Sequence, residues 1–121
     1  MDDQDPLKVL EAARLYALAV IKLVRGFPRR APSKLRAQLV EAARSVGANI
    51  AEGWGRGTPA EKLHFSRMAN GSLEESQEHL KECVNTHLIE RKAFYRPWNL
   101  SMVTARMLAS MIARLEQEKL E

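Results

Sequence analysis

Apolar side chains return at steps of three and four along nearly the whole chain, and nowhere do they alternate with polar ones over the length of a strand. That spacing predicts four helices. The first covers about 6–25, with Val9, Ala13, Tyr16, Val20 and Leu23 in line. Pro6 suits its first turn, where a missing N–H costs nothing. Leu10, Ala17, Ile21 and Val24 widen the apolar face past half the circumference, so this helix should touch more than one neighbour.

Pro28 and Pro32 close off the first helix, because each pushes the residue before it out of helical geometry. Ser33 is the expected N-cap of a second helix over about 34–53, carrying Leu35, Leu39, Ala43, Val46 and Ile50. Gly53-Trp54-Gly55-Arg56-Gly57, with three glycines, reads as the break after it. Thr58, Pro59 and Glu61 form a capping box with proline at the first helical position. They open a third helix over about 59–89, with Leu63, Ala69, Leu73, Leu80, Val84 and Leu88. A turn around Arg91 to Arg96 leads to Pro97 and a fourth helix over about 97–118, with Leu100, Val103, Met107, Met111 and Leu115. Short connections favour an all-α, antiparallel up-down four-helix bundle, one domain over 1–121. Gly47 and Gly71 fall inside expected helices, where glycine costs about 1 kcal/mol against alanine. Close approach of a neighbouring helix is the expected compensation.

Composition narrows the class. The 121 residues are 45% hydrophobic and 28% charged, ordinary for a globular chain. A lone cysteine, Cys83, allows no internal disulfide. The start, Met1-Asp2-Asp3-Gln4-Asp5, is acidic where a secretory signal is basic. The longest apolar run, Leu15 to Ile21, falls far short of the ~20 residues a membrane helix needs. A cytoplasmic location with no membrane partner is expected. Six aromatics (Phe27, Trp54, Phe65, Phe94, Tyr95, Trp98) sit near helix ends, and together with the broad first helix they lead us to expect a homo-oligomer.

Net charge is only +4, but it is unevenly spread. Residues 12–40 hold Arg14, Lys22, Arg25, Arg29, Arg30, Lys34 and Arg36 and no acid, whereas Glu74, Glu75, Glu78 and Glu82 crowd the third helix. Such separation steers an anionic partner, or pairs within or between subunits. Arg25, Arg29, Arg30, Lys34 and Arg36, around the first interhelical turn, are the candidate nucleic-acid-binding residues. Apart from Phe27 no aromatic interleaves with them, so little sequence selectivity is expected. The rival reading is a protein-binding scaffold in which this stretch pairs with the acidic helix of a neighbouring subunit.

Catalytic and metal signatures are weak. The glycine-rich segment lacks the preceding strand and the Gly-Lys-Ser or Gly-Lys-Thr of a phosphate loop. Glu61 and His64 have di-iron spacing, but the motif occurs once and the facing helices offer no inward carboxylate. Glu75, His79, Cys83 and His87 lie at steps of four, without ligands from a second element to complete a tetrahedral site. No Ser, His and Asp set stands out, and the third helix is too long for the recognition helix of a helix-turn-helix. Neither an enzyme nor a cofactor is expected. Ser45, Asn49, Glu52 and Arg56 draw a polar line beside Val46 and Ile50, fit to hold helix register or to meet another subunit.

Ser45-Val46-Gly47-Ala48-Asn49-Ile50-Ala51-Glu52-Gly53 resembles a motif of the small bacterial four-helix-bundle proteins first noticed as reading frames within intervening sequences of large-subunit ribosomal RNA genes. Arg44, Trp54, Arg56, Phe65 and Gly71-Ser72-Leu73-Glu74-Glu75 extend the match, and Gly47 stands where that family often has Pro. The resemblance implies a bundle that assembles into a five-membered ring. It also implies kinship with accessory proteins of diversity-generating retroelements, which contact reverse transcriptase and nucleic acid through basic surfaces. It brings no catalytic residues; Arg44, Asn49, Glu52, Gly53, Arg56 and Gly71 carry over as motif positions of structural role.

Overall fold

The computed structural model describes residues 5–120, and among them the chain forms α1 (Pro6–Arg25), α2 (Ser33–Arg56), α3 (Pro59–Asn85) and α4 (Arg91–Leu120). The acidic residues Asp2 and Asp3 lie outside the described range. Asp5 is part of the fold: its carboxylate caps α1 by accepting from the Leu7 N–H at 2.9 Å, ahead of Pro6.

Each helix packs on two others, α1 and α3 both lying against α2 and α4. Neighbours run in opposite directions. Ser45 of α2 bonds Ser72 of α3, while Gly53, further along α2, meets Phe65, earlier on α3. Arg67 of α3 pairs with Glu116 of α4, and Gln77 with Ser101. The core holds Val9, Ala13, Tyr16 and Val20 from α1, Leu39, Val46 and Ile50 from α2, Leu63, Leu73 and Leu80 from α3, and Leu108 and Met111 from α4. It departs from expectation on α4, where Val103 is exposed and Leu108 is buried instead.

Helix boundaries depart from the sequence expectation in four places. Ser33 is the first residue of α2 and not its cap; Pro32 takes that position with no side-chain hydrogen bond. The glycine-rich segment does not break α2. The helix continues through Gly53 and Gly55 to Arg56, because a Cβ at Gly53 would stand 3.0 Å from the Phe65 Cβ and glycine alone allows α3 so close. It stops at Gly57, whose φ of +91° is left-handed. Thr58 then caps α3, its hydroxyl accepting from the Glu61 N–H at 3.2 Å, as the capping box requires.

The third departure is the end of α3, at Asn85 and not 89. Here His87 adopts φ 59°, and the Leu88 N–H reaches back to the Cys83 carbonyl at 2.9 Å while the His87 N–H bonds the Val84 carbonyl at 3.2 Å. This is the pairing of a Schellman stop, with histidine in the place glycine usually fills. The fourth is α4, which begins at Arg91 and carries Pro97 inside it. Proline in a helix interior costs about 3 kcal/mol. Burial of Phe94 and its stacking on Trp98, centroids 5.1 Å apart, tie the segment around Pro97 to the core.

The expected compensation for the two mid-helix glycines is not found where it was sought. Gly71 is exposed with nothing within 4 Å of a Cβ, and nothing in the structure explains it. Gly47 is buried against α1, yet a Cβ there would meet Leu10, Ala13 and Arg14 at an ordinary 3.4–3.9 Å, so no close approach requires glycine. Close approach belongs to Gly53. The aromatics are also better hidden than expected. Phe27 and Phe94 are buried, Trp54, Phe65 and Trp98 half-buried, and Tyr95 alone of the six is exposed.

Candidate nucleic-acid interface

The two odd-numbered connections, 26–32 and 86–90, share one end of the bundle. Arg30 in the first donates to the His87 carbonyl in the second at 2.9 Å. Folding therefore adds Arg91, Lys92 and Arg96 at the start of α4 to the basic stretch Lys22–Arg36, against Glu82 and Glu90. Both helices that begin here, α2 and α4, have no acid in the first turn and carry Lys34 and Arg36, or Arg91 and Lys92, instead. Cations at the positive end of a helix dipole disfavour the fold, and an anion placed there relieves them.

The five candidate residues separate into two groups. Arg25, Arg29 and Lys34 are exposed and make no ion pair or side-chain hydrogen bond among the described residues. Arg30 is exposed but spends one N–H on His87. Arg36 is half-buried and holds the turn together. Its guanidinium donates to the Pro28 carbonyl and, at 3.4 Å, to the Ala31 carbonyl, and it lies 5.7 Å from the Phe27 ring centre. Arg36 thus braces the turn itself, and Arg91, Lys92 and Arg96 are exposed cations that the fold brings to the same end. All three follow the next odd-numbered connection in the sequence, but only a bundle topology places that connection beside the first.

None of these cations pairs with the acids of α3 inside the chain. Glu78 bonds Lys81 at 3.0 Å, Glu74 accepts from Asn70, and Glu75 stands 3.9 Å from His79. Between the ends of α1 and α4 a groove of about 560 Å³ opens, with Lys22, Lys92 and Arg96 along it.

Of the motif residues, Arg44 lies midway along α2, Asn49, Glu52, Gly53 and Arg56 follow toward the opposite end, and Gly71 sits on α3. The Ser45 and Ser72 hydroxyls bond across helices at 2.9 Å, whereas Asn49 turns back to the Ser45 carbonyl and hydroxyl at 2.9 and 3.0 Å. Arg56 pairs with Glu52 at 3.1 Å, reaches Glu61 at 3.6 Å and covers the Phe65 ring. The polar line reaches α3 at two points, Ser45 to Ser72 and Arg56 to Glu61. Arg44 is exposed and borders two grooves between α1 and α2, one lined by Val24, Ala37 and Val40 and the other by Ala17, Leu18, Ile21 and Ala51.

The Glu75, His79, Cys83, His87 stripe is broken, since His87 lies beyond the end of α3 and in a left-handed turn. Among the described residues no three His, Cys, Asp or Glu gather as metal ligands. Cys83 is buried, and its thiol is pushed up to about 11 by that burial and by Glu82 beside it, the reverse of an activated nucleophile. No helix among the described residues is long and apolar enough to cross a membrane.

Among curated proteins none matches the chain. A crystal structure of a protein of unknown function from the S23 ribosomal protein family, from Bacteroides thetaiotaomicron, superposes with a TM-score of 0.80. The match is 21% identical and covers 86% of this chain and 97% of the other, which establishes a shared fold. The model of the 23S rRNA-intervening sequence protein family matches residues 5–110, from the cap of α1 into the last turns of α4, and so spans all four helices and both motif segments. The chain belongs to the 23S rRNA-intervening sequence protein family.

Proposed function

We propose that this protein is a non-enzymatic, cytoplasmic homo-oligomer that binds nucleic acid through the basic end of its bundle, with little sequence selectivity. The observation that carries the reading is Arg25, Arg29 and Lys34, exposed and unpaired beside two helix N-termini that hold cations in place of acids. Phosphate satisfies both features at once, through charge and through the free N–H groups of a helix start. The family's name, 23S rRNA-intervening sequence protein, fits an RNA partner.

Self-association is supported by the outer face of α1 and α2. Leu7 and Leu18 are 75% and 62% exposed, and Leu18 adjoins Ile21, Ala48 and Ala51. Exposed apolar side chains gathered on one face favour an interface. The family resemblance gives the number, five. Repetition of the basic end around a ring would join weak phosphate contacts into a stronger whole.

Gel shifts with RNA and DNA over a salt series test the reading. Each neutralised phosphate contributes a log–log slope of about −0.9 on duplex DNA and about −0.7 on single strands. Arg25→Glu with Arg29→Glu should weaken binding to both and flatten the slope, leaving helicity and oligomer size intact. Unchanged binding would remove the basic end as the site. A second reading rests on the exposed acids Glu74, Glu78 and Glu82, which the basic end leaves unanswered within the chain. If the double variant falls apart into monomers, those arginines pair with α3 of a neighbour and the protein is a scaffold.

A further inference from the structure

We propose that the groove between the last turn of α1 and the first turns of α4 receives one unstacked base of a single-stranded nucleic acid, with the flanking phosphates held by the cations on its rim. This rests on the reading above and deepens it. Charge alone would hold duplex and single strand alike, and the groove adds a preference for single strands.

The groove has the construction for this. Its volume of about 560 Å³ lies within the ~300–1,000 Å³ usual for small-ligand sites. Leu23, Leu88, Ile89 and Pro97 make an apolar floor, a surface a base can cover and a hydrated phosphate cannot. Lys22, Lys92 and Arg96 stand at the same groove, all exposed, and Glu90 is the one acid among them. Glu90 repels phosphate but accepts from the exocyclic amino group of a base. Pro97 has no N–H to give the Ala93 carbonyl, and both residues line the groove. Arg25, next in sequence to Gly26 of the groove wall, and Arg29 add exposed cations at the same end of the bundle. In a duplex the bases are stacked and paired, and none can enter without the cost of being flipped out.

No aromatic side chain lines the groove, which distinguishes base burial here from stacking on a ring. The test uses that. Short single strands of RNA and DNA carrying 2-aminopurine, whose emission is quenched by stacking, are titrated with the wild-type protein. Emission should rise on binding. Ala93→Trp, at an exposed position of the groove wall, narrows the space without removing a cation. Single-strand affinity should then fall ~5-fold or more, as expected for lost apolar burial of a base, while affinity for a hairpin duplex holds. Unchanged emission on wild-type binding overturns the proposal, and so does an Ala93→Trp variant that binds both forms as before or loses both equally. Oligoglutamate that equals the single strand in affinity and in sensitivity to Ala93→Trp overturns it in favour of an acidic peptide. If wild-type protein at low salt binds neither strand nor duplex, the parent reading fails with it; if it binds both and only the groove tests fail, the parent reading stands.

Discussion

The phenol of Tyr16 on α1 donates a 2.7 Å hydrogen bond to the Ser76 hydroxyl on α3, across the diagonal of the bundle. The Ser76 hydroxyl in turn donates to the Leu73 carbonyl at 2.8 Å, so both hydroxyls are satisfied in a fully buried site. One tyrosine thus pins two helices that do not otherwise pack on each other.

Ser76→Ala would leave the Tyr16 hydroxyl buried without an acceptor and should cost about 1–3 kcal/mol. Tyr16→Phe should cost less, because Ser76 keeps Leu73. Alkaline pH probes the same pair. Burial raises Tyr16 from 10.0 to about 12, against a smaller opposing effect of the Ser76 bond, so the folded state holds a proton that the unfolded chain releases. The Tyr16 contribution is complete below pH 10 and is lost as pH rises from 10 through about 12, by roughly 2–3 kcal/mol at 1.36 kcal/mol per unit. Urea midpoints across this range should fall steeply for wild type and less steeply for Tyr16→Phe. Equal slopes would refute the assignment.

Gly53 and Gly71 should respond to alanine with opposite signs. At Gly53 the new methyl would stand 3.0 Å from the Phe65 Cβ and 3.2 Å from the Lys62 Cα, and overpacking of that kind costs about 1–3 kcal/mol. At Gly71 the methyl meets nothing, and the helix should gain about 1 kcal/mol. Thermal denaturation of the two variants decides it. If Gly71→Ala instead leaves the monomer stable but splits the oligomer, a neighbouring subunit covers that face.

His87→Gly should stabilise the protein by about 0.5–1 kcal/mol. The left-handed φ of 59° strains a side chain and suits glycine, and the gain is offset in part by the greater freedom of glycine when unfolded. The Arg30 contact survives, because it goes to the backbone carbonyl. A lower melting temperature would show that the histidine side chain is needed.

Arg36→Ala should destabilise by about 1–3 kcal/mol, since the Pro28 carbonyl loses its charged donor, whereas Arg29→Ala should change stability little. Nucleic-acid affinity should show the opposite order. A larger binding defect in Arg36→Ala than in Arg29→Ala at matched foldedness would reverse their roles.

Cys83 should react slowly with thiol reagents at neutral pH, its thiol being buried and pushed up to about 11. Rapid modification of folded protein would contradict the burial.

The sequence by itself determined the number of helices, the side of each that is buried, and the two boundaries with strong local chemistry. Pro6 and the Thr58–Glu61 capping box act within one turn, so a linear reading contains the whole of their physics. Tertiary packing decided the rest. The glycine segment stays helical because α3 lies against Gly53, and Pro97 stays inside α4 beside a buried, stacked Phe94. The basic site divides in the same way. Local composition marks Arg25, Arg29 and Lys34, but only the fold turns Arg36 inward to the Pro28 carbonyl and brings Lys92 and Arg96 from the far turn to the groove beside Lys22. Charges distant along the chain become one field when antiparallel helices return their turns to the same end, and no periodicity in the sequence records that distance.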